Sequence, residues 1–475
     1  MFLKQFFVEG LGHASYLIAS EQTKEAAVID PGREIAVYLD EARAQGLHIR
    51  YVCETHVHND FVSGAAQLAA AVGAEHVAPA EAGLLYPHRA IADGQTLRLG
   101  ELVITAFATP GHTPEHTSYV VADAGRAPAP ELVFSGGALL VGGVGRPDLL
   151  GPELGAALAP LLYESVHRKL LRLDDGVLVF PTHGSGSLCG KGIAGTRFST
   201  IGYERRHNPA LQQPTAADFV SYVLSGNPGI PAYYRRMRAL NQQGPLPWRL
   251  PEPRLLPAEQ VVELGRDGGA LVVDARGHLA FGSGHVPGAL NVWLGPAFPI
   301  WVGWLVPHDR PLAFVFERDA DWSEAVRMLL RIGHEAFIGY LPSGMAAVEE
   351  AALPLARVPQ LPVQEFEALR ARERRLQIVD VRMDSEWQDG HIPGALHVML
   401  GDLPARLGAL DPARPVAVYC GSGNRSSIAT SLLQRHGFPA VYNVLGGMTA
   451  WRAAGYQVVQ PPPLERLAGA SATLD

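Results

Sequence analysis

Apolar residues along this chain come in short runs, separated by stretches of helical spacing. Runs at 15–18 and 26–29, the second followed by Asp30, read as buried strands. Residues 35–45 carry a helical pattern, and 49–53 is a further buried strand. Strand and helix alternate in this way to about Phe180, which predicts an α/β fold. Residues 218–224 and 233–240 read as helices after that. The opening stretch, 1–9, holds one charge inside a short apolar run and reads as a first strand, not a signal peptide. The most apolar segment, 298–306, is far short of the roughly 18 residues a membrane span needs.

The pattern then changes twice. Residues 244–253 carry four prolines in ten positions, which makes an extended, semi-rigid linker. Beyond it lies an internal repeat. Residues 273–292 align without gaps on 379–398, and ten of the twenty pairs are identical, including Asp274/Asp380, Arg276/Arg382, His285/His391 and Pro287/Pro393. Strands are expected at 270–274 and 377–380, and helices at 323–332 and 426–435. Two long units make a domain duplication, not a solenoid. The expected organisation is a first domain at 1–245, a linker at 246–256, and two similar domains at 257–357 and 358–475.

Composition agrees with three folded domains. The 475 residues are 47% hydrophobic and 18% charged, enough for a sizeable core in each. A net charge of −8 gives no bulk attraction for nucleic acid, and neither nucleic acid nor membrane is expected as a partner. Three cysteines (Cys53, Cys189, Cys420) are too few for a disulfide scaffold, so a reducing cytoplasm is the expectation.

Two groups of residues carry chemistry. The first is a set of histidines in turns after successive strands: Thr55-His56-Val57-His58-Asn59-Asp60-Phe61, then Thr109-Pro110-Gly111-His112-Thr113-Pro114-Glu115-His116, then Pro181-Thr182-His183-Gly184. Such turns can converge on one point, and neutral imidazole is a common metal ligand. The bland alternative is scattered surface histidine, of which the chain has eighteen residues. Three such turns in order argue against it.

The second is Val416-Ala417-Val418-Tyr419-Cys420-Gly421-Ser422-Gly423-Asn424-Arg425-Ser426. A buried strand delivers Cys420 into a loop of small residues, with a helix directly after. Amides of Gly421, Ser422, Gly423, Asn424 and Ser426 can form an anion-binding nest, and the helix N-terminus adds positive potential. With Arg425 nearby, this setting favours a nucleophilic thiolate at Cys420. Cys53 lies in an apolar strand and reads as core. Cys189, in Ser187-Leu188-Cys189-Gly190, is either a substrate-side thiol or inert, and the inert reading is preferred.

The histidine motifs resemble the metallo-β-lactamase superfamily. Phe134-Ser135-Gly136-Gly137-Ala138-Leu139 and Val144-Gly145-Arg146-Pro147-Asp148-Leu149 narrow the resemblance to its persulfide dioxygenase branch, over about residues 1–211. The resemblance implies an αββα sandwich and one Fe(II) ion. His56 and His112 would be ligands, with His58, Asp60 and His183 nearby as groups that orient them. Two departures stand out. Family hydrolases with two zinc ions use a second histidine directly after the Asp, where this chain has Phe61. The family's metal-binding Asp falls at Gly137, which has no ligand atom. Three alternatives stay open: Asp60 substitutes, water fills the position, or no metal binds.

Residues 359–460 resemble a rhodanese domain, through Val379-Asp380-Val381-Arg382, Gly390-His391-Ile392-Pro393-Gly394-Ala395, the Cys420 loop and Leu445-Gly446-Gly447-Met448-Thr449-Ala450-Trp451. Four residues separate Cys420 from Arg425, the spacing of sulfurtransferases; related phosphatases have one more. The resemblance implies a Cys420 persulfide intermediate, with Arg425 holding the loop and Asp380 and Arg382 organising the fold. In the preceding repeat, Phe316 stands where Cys420 does and Asp321 where Arg425 does. That copy reads as catalytically silent and structural, packing its neighbours; binding a partner protein is the alternative.

The expected function is an enzyme of sulfur metabolism: an α/β metallo-β-lactamase-like persulfide dioxygenase joined to two rhodanese-like α/β domains, the last one a sulfurtransferase. Its expected partners are a small persulfide on glutathione or another thiol, sulfite, thiosulfate and O2. A homo-oligomer is left open. The alternatives are a sulfurtransferase with a metal-poor binding domain, and a dinuclear metal hydrolase of the thioesterase type.

Overall fold

The computed structural model describes residues 1–244 and 247–460. Pro245 and Leu246, at the expected linker, and 461–475, the end of the expected last domain, lie outside the described residues. The chain divides into two compact units. One holds Met1–Pro257, Gly269–Leu271 and Leu294–Ala347; the other holds Ala258–Gly268, Val272–Trp293 and the chain from Val348 onward. The first copy of the repeat is therefore shared between the units.

In the first unit, strands β1 (Phe2–Val8), β2 (His13–Ala19), β3 (Glu25–Ile29), β4 (His48–Cys53), β5 (Glu75–Pro79) and β6 (Arg89–Ile91) form one sheet in chain order. Its first three strands are antiparallel and the rest parallel. A second sheet uses β7 (Thr96–Leu99), β8 (Leu102–Ala108), β9 (Thr117–Asp123) and β10 (Leu132–Gly136). After a small hairpin, β11 (Leu139–Leu140) with β12 (Gly143–Val144), it is completed by β13 (Leu178–Pro181) and β14 (Ser199–Thr200), in the order β14-β13-β10-β9-β8-β7.

The strand alternation explains the layers. Tyr16, Ile18, Ala27, Ile29 and Cys53 from the first sheet meet Ile104, Tyr119, Val121 and Phe134 from the second. The intervening residues Leu17, Val28 and Val52 face outward onto helices Ala36–Gln45 and Ala65–Val72. Val120, Val133 and Val179 face helices Pro152–Arg168 and Ala216–Leu224. The result is the expected αββα sandwich. Every second side chain on these strands is buried on a different side, which is why they read as continuous apolar runs.

The same unit includes the parallel strands Leu312–Val315 and Phe337–Leu341 of the first copy of the repeat. Helix Asp321–Arg331 fastens them to the sandwich: Glu34 pairs with both Arg327 and Arg331, and Val62 donates its N–H to the Arg331 carbonyl at 2.8 Å. Phe316, in the position equivalent to Cys420, is buried against Phe314 and Tyr340.

In the other unit, five parallel strands lie in the order Gln360–Leu361, Val441–Val444, Val416–Tyr419, Gln377–Asp380, Leu396–His397. The duplication is visible in register. Val273 pairs with Leu290 as Val379 pairs with Leu396, and Asp274 with Asn291 as Asp380 with His397. In both copies the Asp and the Arg two residues on form a buried fork, with shortest contacts of 2.6 Å. In each copy the Arg also donates to a carbonyl eight residues on, Gly284 for Arg276 and Gly390 for Arg382.

Asp30 ties the two sheets of the sandwich together. It follows β3 with φ +49 and is buried. Its carboxylate accepts from the Thr55 N–H at 2.7 Å and the Thr55 hydroxyl at 2.8 Å, just beyond β4. It also accepts from the Thr182 hydroxyl, just beyond β13 in the opposite sheet. Burial pushes its pKa up, but the charge of His58 and the bonds from His58, Thr182 and Thr55 outweigh burial and hold it below the usual value. Removing one member of such a buried set strands the others. Asp30→Ala should lower the unfolding free energy of this unit by about 3–5 kcal/mol in urea titration. Asp30→Asn, which tolerates the positive φ, should lose less. Unfolding of Asp30→Ala at the wild-type urea concentration would refute this role.

Candidate functional site

The histidine turns do converge. His56, His112 and His183 are fully buried, and their ring centroids lie 5.0 Å (56–112), 5.3 Å (56–183) and 5.3 Å (112–183) apart. His56, His58 and His183 each place a ligand atom within 4.8 Å of the others, as do His112, His183 and Cys189.

Neighbouring groups fix which nitrogen of each ring is free. The Thr55 hydroxyl gives its proton to Asp30, so it accepts from His56 Nδ1 at 2.8 Å. His112 Nδ1 donates to the Arg146 carbonyl at 2.9 Å. His183 Nδ1 faces Asp60 Oδ2 at 3.1 Å. In His56 and His112 Nδ1 is committed, which leaves the Nε2 lone pair. His56 Nε2 and His183 Nε2 face each other at 3.3 Å, and His112 Nε2 is buried without a partner. Ring nitrogens converging in a buried space suit a cation among them. Burial, reinforced by the neighbouring imidazoles, drives the pKa of His56 and of His112 well below the ordinary histidine value. Both rings are neutral, as ligation requires. His58 Nε2 lies 3.3 Å from Asp30 Oδ1, and its Nδ1 is unpartnered. The donor set fits a metal ion of the kind imidazole binds.

The structure adds detail to two placements in this cluster. His183 Nε2 faces His56 Nε2, so this ring stands among the grouped donors. Asp60 Oδ2 faces Nδ1 of His183 and belongs to neither donor group. Burial raises the Asp60 pKa, but the charge and hydrogen bond of His183 outweigh it and hold it well below the usual value.

Gly137 has a steric meaning as well. A Cβ there would lie 2.2 Å from His112 Cδ2, and a Cβ at Gly145 would lie 2.7 Å from His112 Nδ1. The His112 ring fills the room a side chain at 137 would need. The Gly137 N–H donates to His116 Nε2 at 2.8 Å, and His116 Nδ1 pairs with the Thr109 hydroxyl at 2.9 Å. Burial lowers the His116 pKa to about 3. His116 therefore spends its lone pair on the backbone and is not a free ligand. Phe61 stacks on His13 at 3.7 Å and on His58 at 4.2 Å, filling the place of a second metal's histidine with hydrocarbon.

Several supporting residues had no motif to announce them. Asn241 donates to the His58 and Phe61 carbonyls at 2.9 Å each and accepts from Ser63 N–H at 3.0 Å. Arg238 forks onto Glu115, which also accepts from Val57 N–H at 2.9 Å. Both come from helix Tyr234–Gln243, over a hundred residues from the turn they hold. His116 stood in the quoted stretch, but no pattern told a ligand from an amide acceptor. Cys189, expected to be inert, lies beside His112 and His183, and burial raises its pKa well above the ordinary thiol value.

The Cys420 loop lies in the other unit. Cys420 follows strand Val416–Tyr419 and is buried. The Gly423 N–H donates to its Sγ at 3.1 Å, and the Ser426 hydroxyl lies 3.5 Å away. Gly423 has φ +115, a conformation open to glycine. The helix begins at Asn424, two residues earlier than expected. Arg425 forks onto Glu386 at 2.5 and 2.7 Å, so its charge is shared with a carboxylate. Burial opposes that charge, but Glu386 and Cys420 raise the Arg425 pKa. The Gly421 carbonyl accepts from Thr449 N–H at 3.1 Å, which fixes the loop's far side.

These arrangements agree with known proteins. Residues 8–183 match the metallo-beta-lactamase superfamily, and residues 257–351 and 363–454 match the rhodanese-like domain. The chain is 31% identical over 231 residues to the mitochondrial persulfide dioxygenase ETHE1 of Homo sapiens, an alignment covering 48% of this chain and 82% of that protein. It is 31% identical over 103 residues to the putative sulfur carrier protein YrkF of Bacillus subtilis (strain 168), covering 22% of this chain and 56% of that one. A solved metallo-beta-lactamase from Staphylococcus aureus superposes with a TM-score of 0.66 at 30% identity, covering 72% of this chain and 99% of that one. With the histidine turns in one sandwich and the cysteine loop in a duplicated parallel sheet, the chain belongs to the metallo-β-lactamase superfamily, as an ETHE1-like domain followed by two rhodanese domains.

Proposed function

We propose that this protein is a persulfide dioxygenase coupled to a sulfurtransferase, acting on a low-molecular-weight persulfide, sulfite and thiosulfate. The observation that carries the reading is the Gly423 N–H aimed at the Cys420 sulfur in a loop of sulfurtransferase spacing. The domains are those at 1–245, 257–357 and 358–475, and the setting is a reducing cytoplasm with glutathione as one thiol carrier. Three free cysteines fit that setting.

In the last domain the Cys420 thiolate attacks the outer sulfur of thiosulfate or of a persulfide. The donor's S–S bond breaks, sulfite or thiolate leaves, and Cys420 carries a persulfide. The loop amides from Gly421 to Asn424 and the Ser426 hydroxyl cradle its charge. A thiophile, sulfite or a thiol, then attacks the outer sulfur and returns the Cys420 thiolate. Arg425, braced by Glu386, holds the loop's end.

In the first domain His56, His112 and His183 would hold one Fe(II), with His58 and Asp60 steadying the set. The ion, when bound, supplies activation of O2 and of the persulfide sulfur, giving sulfite and a free thiol. Thr55, Arg146 and Asp60 keep each imidazole in the tautomer that ligation needs. Sulfite from this domain is an acceptor for the Cys420 persulfide, and fusion raises the effective concentration of the shared intermediate. The lone Gly137 favours a second reading, a sulfurtransferase whose first domain only binds thiols. The thioesterase reading has Phe61 against it.

Two measurements decide between them. Cys420→Ser should abolish thiosulfate:cyanide sulfurtransfer, and retained turnover in that variant would refute the assignment. Purified protein should contain iron at about one atom per chain and consume O2 with glutathione persulfide. His112→Ala should lower both by at least tenfold, on the scale of a lost metal ligand. Protein that stays inactive with O2 after anaerobic Fe(II) reconstitution leaves only the sulfurtransferase reading.

A further inference from the structure

Part of the thiol-less repeat, residues 272–293, lies in the same compact unit as the Cys420 loop. Helix Asn424–Arg435, which starts inside that loop, meets this segment along one face. Residues 424, 427, 431, 434 and 435 lie on a single helical stripe. Each is hydrogen-bonded to the segment.

Four of these bonds form a seam that runs away from the loop. The Ser427 hydroxyl donates to Asn291 Oδ1 at 2.6 Å, and Asn291 N–H donates to Ser431 Oγ at 3.0 Å. His285 Nε2 pairs with Gln434 Oε1 at 3.1 Å, and Arg435 donates to the Gly288 carbonyl. Asn291 is itself fixed, because its Nδ2 donates to the Asp274 and Arg276 carbonyls at 2.9 Å each.

The fifth bond is different, because it reaches the loop. His278 Nδ1 donates to Asn424 Oδ1 at 2.8 Å. Asn424 follows Gly423, whose N–H is the one aimed at the Cys420 sulfur. The ring lies over that glycine: a Cβ built on Gly423 would be 3.5 Å from His278 Nε2. By the repeat alignment His278 corresponds to Asp384, two residues before Glu386, which braces Arg425 at the other end of the loop. Equivalent segments of the two repeats thus grip one loop from two sides.

We propose that His278 is a positioning residue of the Cys420 site: through Asn424 it holds the Gly423–Asn424 turn so that the Gly423 N–H points at the sulfur. The turn needs such a hold. Gly423 has φ +115, and glycine by itself has little preference for that conformation over others. Held in place, the amide is ready for the charge of the thiolate and of the persulfide without reorganising. The silent copy has lost its own thiol and kept a part in its sister's site. This rests on Cys420 being the sulfurtransfer nucleophile.

The test uses the full-length protein and thiosulfate:cyanide sulfurtransfer, with His278→Ala, Asn424→Ala, the double variant, His278→Gln and Gln434→Ala. His278→Ala and Asn424→Ala should each lower kcat/KM for thiosulfate about tenfold, the scale of one hydrogen bond to a charged site. The double variant should lose no more than either alone, because both remove the same bond. His278→Gln can still donate to Asn424 and should recover most of the rate. Gln434→Ala weakens the seam far from the loop and should leave the rate unchanged. Wild-type kinetics in His278→Ala, additive losses in the double variant, or an equal loss in Gln434→Ala would each overturn the proposal. Absent turnover in the wild type, or an active Cys420→Ser, would instead overturn the reading of Cys420.

Discussion

The buried carboxylate of Asp30 is the constraint on which the first domain depends. It sits between the ends of β4 and β13, one from each sheet, and takes hydrogen bonds from Thr55 and Thr182. Those threonines directly precede His56 and His183. The same group that joins the sheets therefore sets where two of the imidazoles begin. Its hold on the Thr55 hydroxyl also decides which nitrogen of His56 carries the proton. Structure and ligand chemistry share one charge, so neither can be altered without the other.

The substitution at position 137 reaches further than the loss of one ligand. The His112 ring has the space a side chain would occupy, and His116 Nε2 accepts the Gly137 N–H. What remains is a set of imidazoles with a thiol beside it and no carboxylate among the grouped donors.

The two sites are built on opposite principles. The histidine cluster takes its groups from turns scattered over the first 183 residues, and side chains fix it. The cysteine loop is a continuous stretch whose backbone N–H at Gly423 meets the cysteine sulfur. Short contiguous loops of this kind carry their chemistry in their spacing; assembled clusters carry it in tautomers and neighbours that spacing does not record.

The sequence by itself determined the alternating α/β pattern, the duplication, the cysteine loop and most histidines of the cluster, and the resemblance of its motifs added the sandwich. Strand periodicity, repeat offset and motif spacing are all local properties of the chain. The register of Val273 with Leu290 and of Val379 with Leu396 follows the offset read from sequence. Only the tertiary structure decided that His183 faces His56, that Asp60 faces the outer nitrogen of His183, and that His116 serves a backbone amide. It also decided that Asn241 and Arg238 hold the His58 turn and that His278 reaches Asn424. Each of these depends on which atoms of distant segments meet and on which nitrogen is left free when they do. No run of residues along the chain encodes that, because a hydrogen bond between distant segments has no period.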